Sequence, residues 1–208
     1  MDHTVQFARG AGARVVQRAW TDFVDARRFA LTQVTTPWAL MIDADEALDD
    51  VLRDAVVRAP DNVDAYRLRR TTYFCGKQMR IWKGEELVRL FRPGRVALHA
   101  HPAAASDAAL HEAWATEGSI GDLGGTLLHY SYPDTATYRT KYDRYTSLEA
   151  RGSRGSALRL LTAALASIPR FAWLLFGRGA ILDGPRGWYV AYHSAVYPVV
   201  TARKALFP

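Results

Sequence analysis

One cysteine, Cys75, stands alone among 208 residues, so no internal disulfide framework exists and nothing in cysteine usage points to secretion. A reducing cytoplasm fits. The N-terminal Met1-Asp2-His3-Thr4 lacks both the basic and the apolar region of a signal peptide, so export by that route is not expected. The chain also lacks the poverty of apolar residues that marks disorder. With 49% hydrophobic residues it has enough to bury a full core, and one compact domain with an appendage is the natural expectation. Neither a helix-turn-helix nor an aromatic stacking platform is present, which leaves nucleic-acid binding resting on charge alone.

That charge is substantial. Lys and Arg number 27 against 21 Asp and Glu, a formal +6, suited to nucleic acid, an anionic membrane face or a phosphate-bearing substrate. Along the chain, Val5 to Val16 reads as a short helix broken at Gly10-Ala11-Gly12, followed by a small strand at residues 13–16. Thr21 can cap a second helix carrying Phe23, Ala30, Leu31 and Val34, with Pro37 as its outer limit. Trp38-Ala39-Leu40-Met41-Ile42 is uninterrupted in its apolar character, as a central parallel strand covered on both faces would be. Asp43 begins where it ends. Leu48, Val51, Leu52, Ala55 and Val56 then keep the spacing of a helix packed on a sheet. From Val63 to His99 the pattern shortens to β-like pieces, including Leu87 to Phe91 and Val96 to His99, expected to join across Pro93-Gly94. Another apolar run, Thr126 to Tyr130, precedes a polar, aromatic helix.

The tail differs in kind. Residues 157–176 are long and apolar enough to invite a transmembrane reading, but Arg159, Pro169 and Arg170 interrupt them. An amphipathic or re-entrant helix at a membrane surface fits better, with arginines at headgroup level and Trp173 and Phe176 in the acyl boundary. The alternative is a helical hairpin that completes the core or makes a dimer.

Several residues can carry chemistry. Asp43 and Asp45, spaced i, i+2 after a buried strand, can aim two carboxylates at one hard cation. Mg²⁺ or Mn²⁺ held there would stabilise a nucleotide diphosphate as leaving group. Equally, the acids of Asp43-Ala44-Asp45-Glu46 suit a turn that caps the following helix. Glu112, between His111 and the apolar Trp114, is a candidate general base with a raised pKa. His129, at a strand end, is a candidate metal or phosphate contact, or a structural histidine. His99 and His101 share an i, i+2 spacing without further ligands. Arg89, Arg92 and Lys141 are candidate phosphate binders.

Taken together these segments resemble the family 2 glycosyltransferases of GT-A fold, in the branch that adds sugars to the lipopolysaccharide core of Gram-negative bacteria. The resemblance runs through Gly12 to Val15, Trp20 to Phe23, Trp38 to Glu46, Phe74-Cys75-Gly76 with Trp82, and Arg89 to Arg92. It continues through His111-Glu112, His129 to Tyr132, Lys141-Tyr142 with Tyr145, and Asp183-Gly184 with Gly187. It implies an α/β fold with a Rossmann-like mixed sheet flanked by helices over residues 1–150, and a helical, membrane-associating appendage over residues 151–208. It implies inverting transfer from a nucleotide-diphosphate sugar to a lipid-linked saccharide at the cytoplasmic face of the inner membrane, with no role for nucleic acid and room for a homo-oligomer. Asp43 and Asp45 take the place of the family's metal-binding pair, with His129 as a further contact and Glu112 as the base; Asp43, Arg89 and Lys141 would hold the donor. Members of the family begin with two further strands and an Asn-Glu loop that build the nucleotide pocket; Asp2 and Thr4 match only the end of that region. The expected fold is therefore N-terminally truncated, and an inactive, membrane-associated assembly protein is the alternative function.

Overall fold

The computed structural model describes residues 3–19, 21, 23–100 and 112–208. His101 and His111, and with His101 the proposed His99/His101 pair, lie outside those residues, as do Asp2, Trp20 and Asp22. In chain order the elements are α1 (Thr4–Gly10), α2 (Phe23–Thr32), β1 (Ala39–Leu40), β2 (Glu46–Leu48), α3 (Asp50–Val57), β3 (Ala65–Phe74) and β4 (Lys77–Gln78). They continue with β5 (Glu85–Phe91), β6 (Ala97–Ala100), β7 (Glu112–Ala115), β8 (Ile120–Asp122), β9 (Leu127–Tyr132), α4 (Thr135–Arg151), α5 (Ala157–Ala172) and α6 (Pro185–Leu206). This is the mixed α/β architecture expected, with one dominant curled sheet.

Ten-residue β3 is the spine of that sheet. It pairs antiparallel with β5 and parallel with β9, giving the order β1-β5-β3-β9-β2, with β4 and β8 also on β3. Its residues alternate outward arginines with buried Leu68, and Phe74 at its far end reaches the helical core. Cys75 and Gly76, both at positive φ (+48° and +74°), form the two-residue turn into β4. A two-residue hairpin needs left-handed backbone at both centres, which is why glycine follows the cysteine there.

Four sequence expectations are corrected. Residues 38–42 do not make a central parallel strand: β1 is two residues long, ends the sheet order and pairs antiparallel with β5. The run is only partly buried: Ala39 and Met41 pack against one cluster and Leu40 against another, while Ile42 is 47% exposed, and such packing does not specify strand neighbours. Residues 13–16 form no strand; they find no ladder partner among the described residues. The helix after the acidic turn starts at Asp50, because Asp49 caps it through Leu52 N–H at 2.7 Å, while Leu48 belongs to β2. The segments on either side of Pro93-Gly94 are not one hairpin. A 3₁₀ turn at Pro93–Arg95 redirects the chain, and β6 pairs with β7 in a separate two-stranded sheet.

The tail both completes the core and leaves a face open. On α6, Val190, Ala191 and Ala195 pack with Phe74, Ile81 and Tyr138. Gly187 permits this: a Cβ there would lie 1.8 Å from the Ala180 carbonyl oxygen. Buried Asp183 accepts from the backbone N–H of Arg80 at 2.8 Å, tying the tail to the β3–β4 region. Helix α5 lies along α6, contains no buried residue, and relaxes into a π turn at Trp173–Gly177 after Pro169.

Candidate active site at the acidic turn

Residues 43–46 close on themselves twice. Glu46 N–H donates to the Asp43 carbonyl at 3.0 Å, and Asp43 N–H donates back to Glu46 Oε2 at 2.8 Å. Tyr130 N–H donates to the Asp45 carbonyl at 2.8 Å, fastening the turn to β9. With its backbone pinned at both ends, the turn holds its side chains in set directions.

Those directions differ. Asp43 faces arginines: Arg27 Nη2 lies 3.1 Å from Oδ1 and Arg89 Nη2 2.8 Å from Oδ2. Arg89 also reaches Glu46 Oε1 at 3.1 Å, and the same oxygen takes Arg70 Nη1 at 3.2 Å. Arg70 then forks onto Glu85. Arg27, Asp43, Arg89, Glu46, Arg70 and Glu85 thus alternate in sign, three cations against three anions. The Glu46 side chain is fully buried and that of Arg89 is 5% exposed. Buried charges survive only when paired in this way. Arg89 thus holds two carboxylates of the turn through Nη2, while its buried Nη1 has no hydrogen-bond partner among the described residues.

Asp45 points elsewhere. Its Oδ2 lies 3.5 Å from both His129 Nε2 and Lys141 Nζ, and its side chain is 37% exposed. His129 is braced from behind by Thr72 Oγ1, 3.2 Å from Nδ1. Lys141 donates to the Ser131 carbonyl at 3.0 Å and hydroxyl at 3.2 Å and sits 5.2 Å from the Tyr132 ring centre. The hydrogen bond with His129, reinforced by the charges of His129 and Lys141, holds the Asp45 carboxyl down at about 2. Asp45 is thus a carboxylate at every physiological pH, with loose partners and access to solvent.

The proposed site residues divide accordingly. Asp45, His129 and Lys141 come together; Asp43 and Arg89 pair beside them. The backbone of Glu112 lies in β7, opposite Ala100, and its side chain is outside the described set. Two residues on, Trp114 packs at a tilt against Phe91 and brings its Nε1 to 2.8 Å from Met41 Sδ, which puts β7 against the segment that leads into Asp43. Sequence reasoning passed over Arg27, Arg70, Thr72 and Ser131. Glu46 had a readable signal, since a carboxylate three residues after Asp43 has the spacing that closes a turn back on its own start.

Among the described residues no three His, Cys, Asp or Glu side chains converge as a ready-made metal site. The donor set still fits a hard cation of the Mg²⁺ kind, which keeps several waters and needs only one or two carboxylates besides substrate phosphates. Asp45 supplies such an oxygen; Asp43 does so only by loosening an arginine.

The chain has glycosyltransferase relatives. It is 29% identical to the lipopolysaccharide core biosynthesis glycosyltransferase LpsC of Rhizobium meliloti, across 92% of this chain and 72% of LpsC. It is 27% identical to an uncharacterized glycosyltransferase of Rickettsia typhi, across 77% of this chain and 60% of that protein. A Rickettsia prowazekii glycosyltransferase matches at 31% over 44% of this chain. No protein-family profile matches the chain. Its homologues are glycosyltransferases, one of them in lipopolysaccharide core biosynthesis, and the chain spans only part of their length.

Proposed function

We propose that the protein is an inverting, metal-dependent glycosyltransferase of the family 2, GT-A type, moving a hexose-like sugar from a nucleotide-diphosphate donor to a lipid-linked saccharide at the cytoplasmic leaflet of the inner membrane. The observation that carries this reading is Asp45: a permanently ionised, solvent-reachable carboxylate on a rigid turn, flanked by a histidine and a lysine. The names and coverage of the relatives support the same class.

In this reading Asp45 would hold Mg²⁺ or Mn²⁺, with His129 and Asp43 as further contacts, and the cation would supply charge neutralisation at the diphosphate leaving group. Lys141 neutralises a second phosphate oxygen. The charge chain from Arg27 to Glu85, buried at Arg89 and Glu46, would keep the turn from moving as charge shifts, which is how a preorganised site saves reorganisation energy. An acceptor hydroxyl attacks the anomeric carbon, the bond from that carbon to the diphosphate oxygen breaks with its electron pair leaving on oxygen, and the hydroxyl proton passes to the Glu112 carboxylate.

Calorimetric titration of the full chain with nucleoside diphosphates and Mg²⁺ tests the donor half of this reading. Binding that needs the cation and disappears in Asp45→Ala is expected. A folded chain that takes no nucleotide under any divalent cation would favour a non-catalytic assembly protein, the reading that the arginine-locked Asp43 would then explain.

A further inference from the structure

Helix α5 and its π turn present a continuous apolar ridge to solvent. Leu158, Leu161, Leu165, Ile168 and Phe176 are each 56% to 73% exposed. At about 100° per residue these positions fall within roughly one quarter of the helix circumference. The opposite side, with Leu160, Ala163, Ala164 and Phe171, is the less exposed one and faces the body of the protein along α6. Phe171 meets Trp188 edge-on, and Trp188 and Tyr192, one turn apart on α6, are themselves about half exposed. The segment Ala157–Gly177 is long and apolar enough to cross a membrane by length and composition, yet only 11% of it is buried. A core helix would be mostly covered; this one is not.

Charge selects the occupant. From residue 151 onward the chain carries seven arginines and one lysine against a single acid, Asp183, which is buried and hydrogen-bonded to backbone. Arg159 and Arg170, eleven residues apart, project roughly 140° from the ridge's centre, on the polar side of the helix, where an interfacial amphipathic helix carries its basic residues. Both are exposed, and among the described residues no carboxylate pairs with them or with Arg186. A second copy of this chain would bring the same cations against these, whereas an anionic bilayer surface answers both the ridge and the arginines.

We infer that the α5 ridge, from Leu158 to Phe176, is a membrane-docking face that lies in the plane of an anionic leaflet, with the acyl boundary taking the leucines and the phosphate headgroups taking Arg159 and Arg170. The helix does not cross, because its inner side is occupied by α6. This gives the leaflet placement proposed above a specific surface, but it concerns lipid binding alone and stands or falls without reference to sugar transfer.

Cosedimentation of the full chain with vesicles of phosphatidylglycerol and phosphatidylethanolamine tests it, with phosphatidylcholine vesicles as the neutral arm. Strong binding to the anionic vesicles, weakened by salt, is expected, and so is a loss of tenfold or more in Leu161→Glu/Leu165→Glu. Both positions are exposed, so circular dichroism and nucleoside-diphosphate binding should remain as in the parent chain. Arg159→Gln/Arg170→Gln should weaken anionic-vesicle binding on the order of tenfold and leave neutral-vesicle binding unchanged. Three results would overturn the inference: no vesicle binding by the folded chain, equal binding by Leu161→Glu/Leu165→Glu, or a dimer in sedimentation that this double variant dissociates.

Discussion

At the scale of single residues, two carboxylates separated by one alanine have opposite fates. Asp43 is absorbed into an alternating chain of charges, while Asp45 is left to a histidine, a lysine and solvent. The covered member of the turn is Glu46, and it is the residue whose loss should hurt the fold most. Glu46→Ala removes the anion that Arg89 and Arg70 share and leaves them only Asp43 and Glu85, at an expected cost of about 3 kcal/mol in urea unfolding. Asp45→Asn should be far milder for stability. Its effect has a pH signature. Because folding lowers the Asp45 pKa from 3.8 to about 2, the stability it contributes is in place above 3.8 and drains away as pH falls through about 2. The parent chain and Asp45→Asn should therefore differ at neutral pH and converge in acid, as read by denaturant midpoints across that window. Asp43 and Asp45 were legible in the sequence as neighbours on one turn, since acids after an apolar run announce a turn, while His129 and Lys141 were each readable only as separate candidate contacts. The direction of each side chain was not, because it depends on Arg27, Arg70 and Arg89, which arrive from a helix and two strands distant in sequence.

At the scale of elements, local chemistry decided boundaries and long-range pairing decided topology. The cap at Asp49 and the cap at Asp134, whose side chain accepts from Thr137 N–H at 2.6 Å, start α3 and α4 where short polar residues precede apolar ones. Asp49→Ala should cost about 1 kcal/mol, measurable by thermal unfolding. Gly125 sits over the same cap, at φ +88° and with a Cβ position 2.2 Å from Leu52 N, so Gly125→Ala should be more damaging than the cap deletion. The apolar pattern of residues 38–42 announced contacts on both sides but overstated their depth, since Ile42 is exposed, and an alternation of Ala39 and Met41 against Leu40 says nothing about which strand lies alongside. For the same reason the 3₁₀ turn at Pro93–Arg95 was readable as a break but not as an exit to a second sheet.

At the scale of the whole molecule, the cluster around Phe74 and Tyr138 joins the β3–β4 hairpin, α4 and the tail, so α6 is core while α5 is surface. Gly187→Ala, which drives a methyl into the Ala180 carbonyl, should separate these layers and cost about 1–3 kcal/mol. The sequence showed the tail to be apolar, basic and interrupted; it left open whether that described a core hairpin or an interfacial helix, and the structure shows α6 packed into the core and α5 with an exposed apolar face. The acidic turn lies at the end of β1, on a sheet held to that helical layer. The most direct measurement is release of nucleotide diphosphate from a panel of nucleotide sugars, with Mg²⁺ or Mn²⁺ and bacterial membrane lipid as acceptor. Release from at least one donor is expected, falling about a hundredfold or more in Asp45→Asn and on chelation. A folded chain that releases none, or an Asp45→Asn variant as active as its parent, would contradict it.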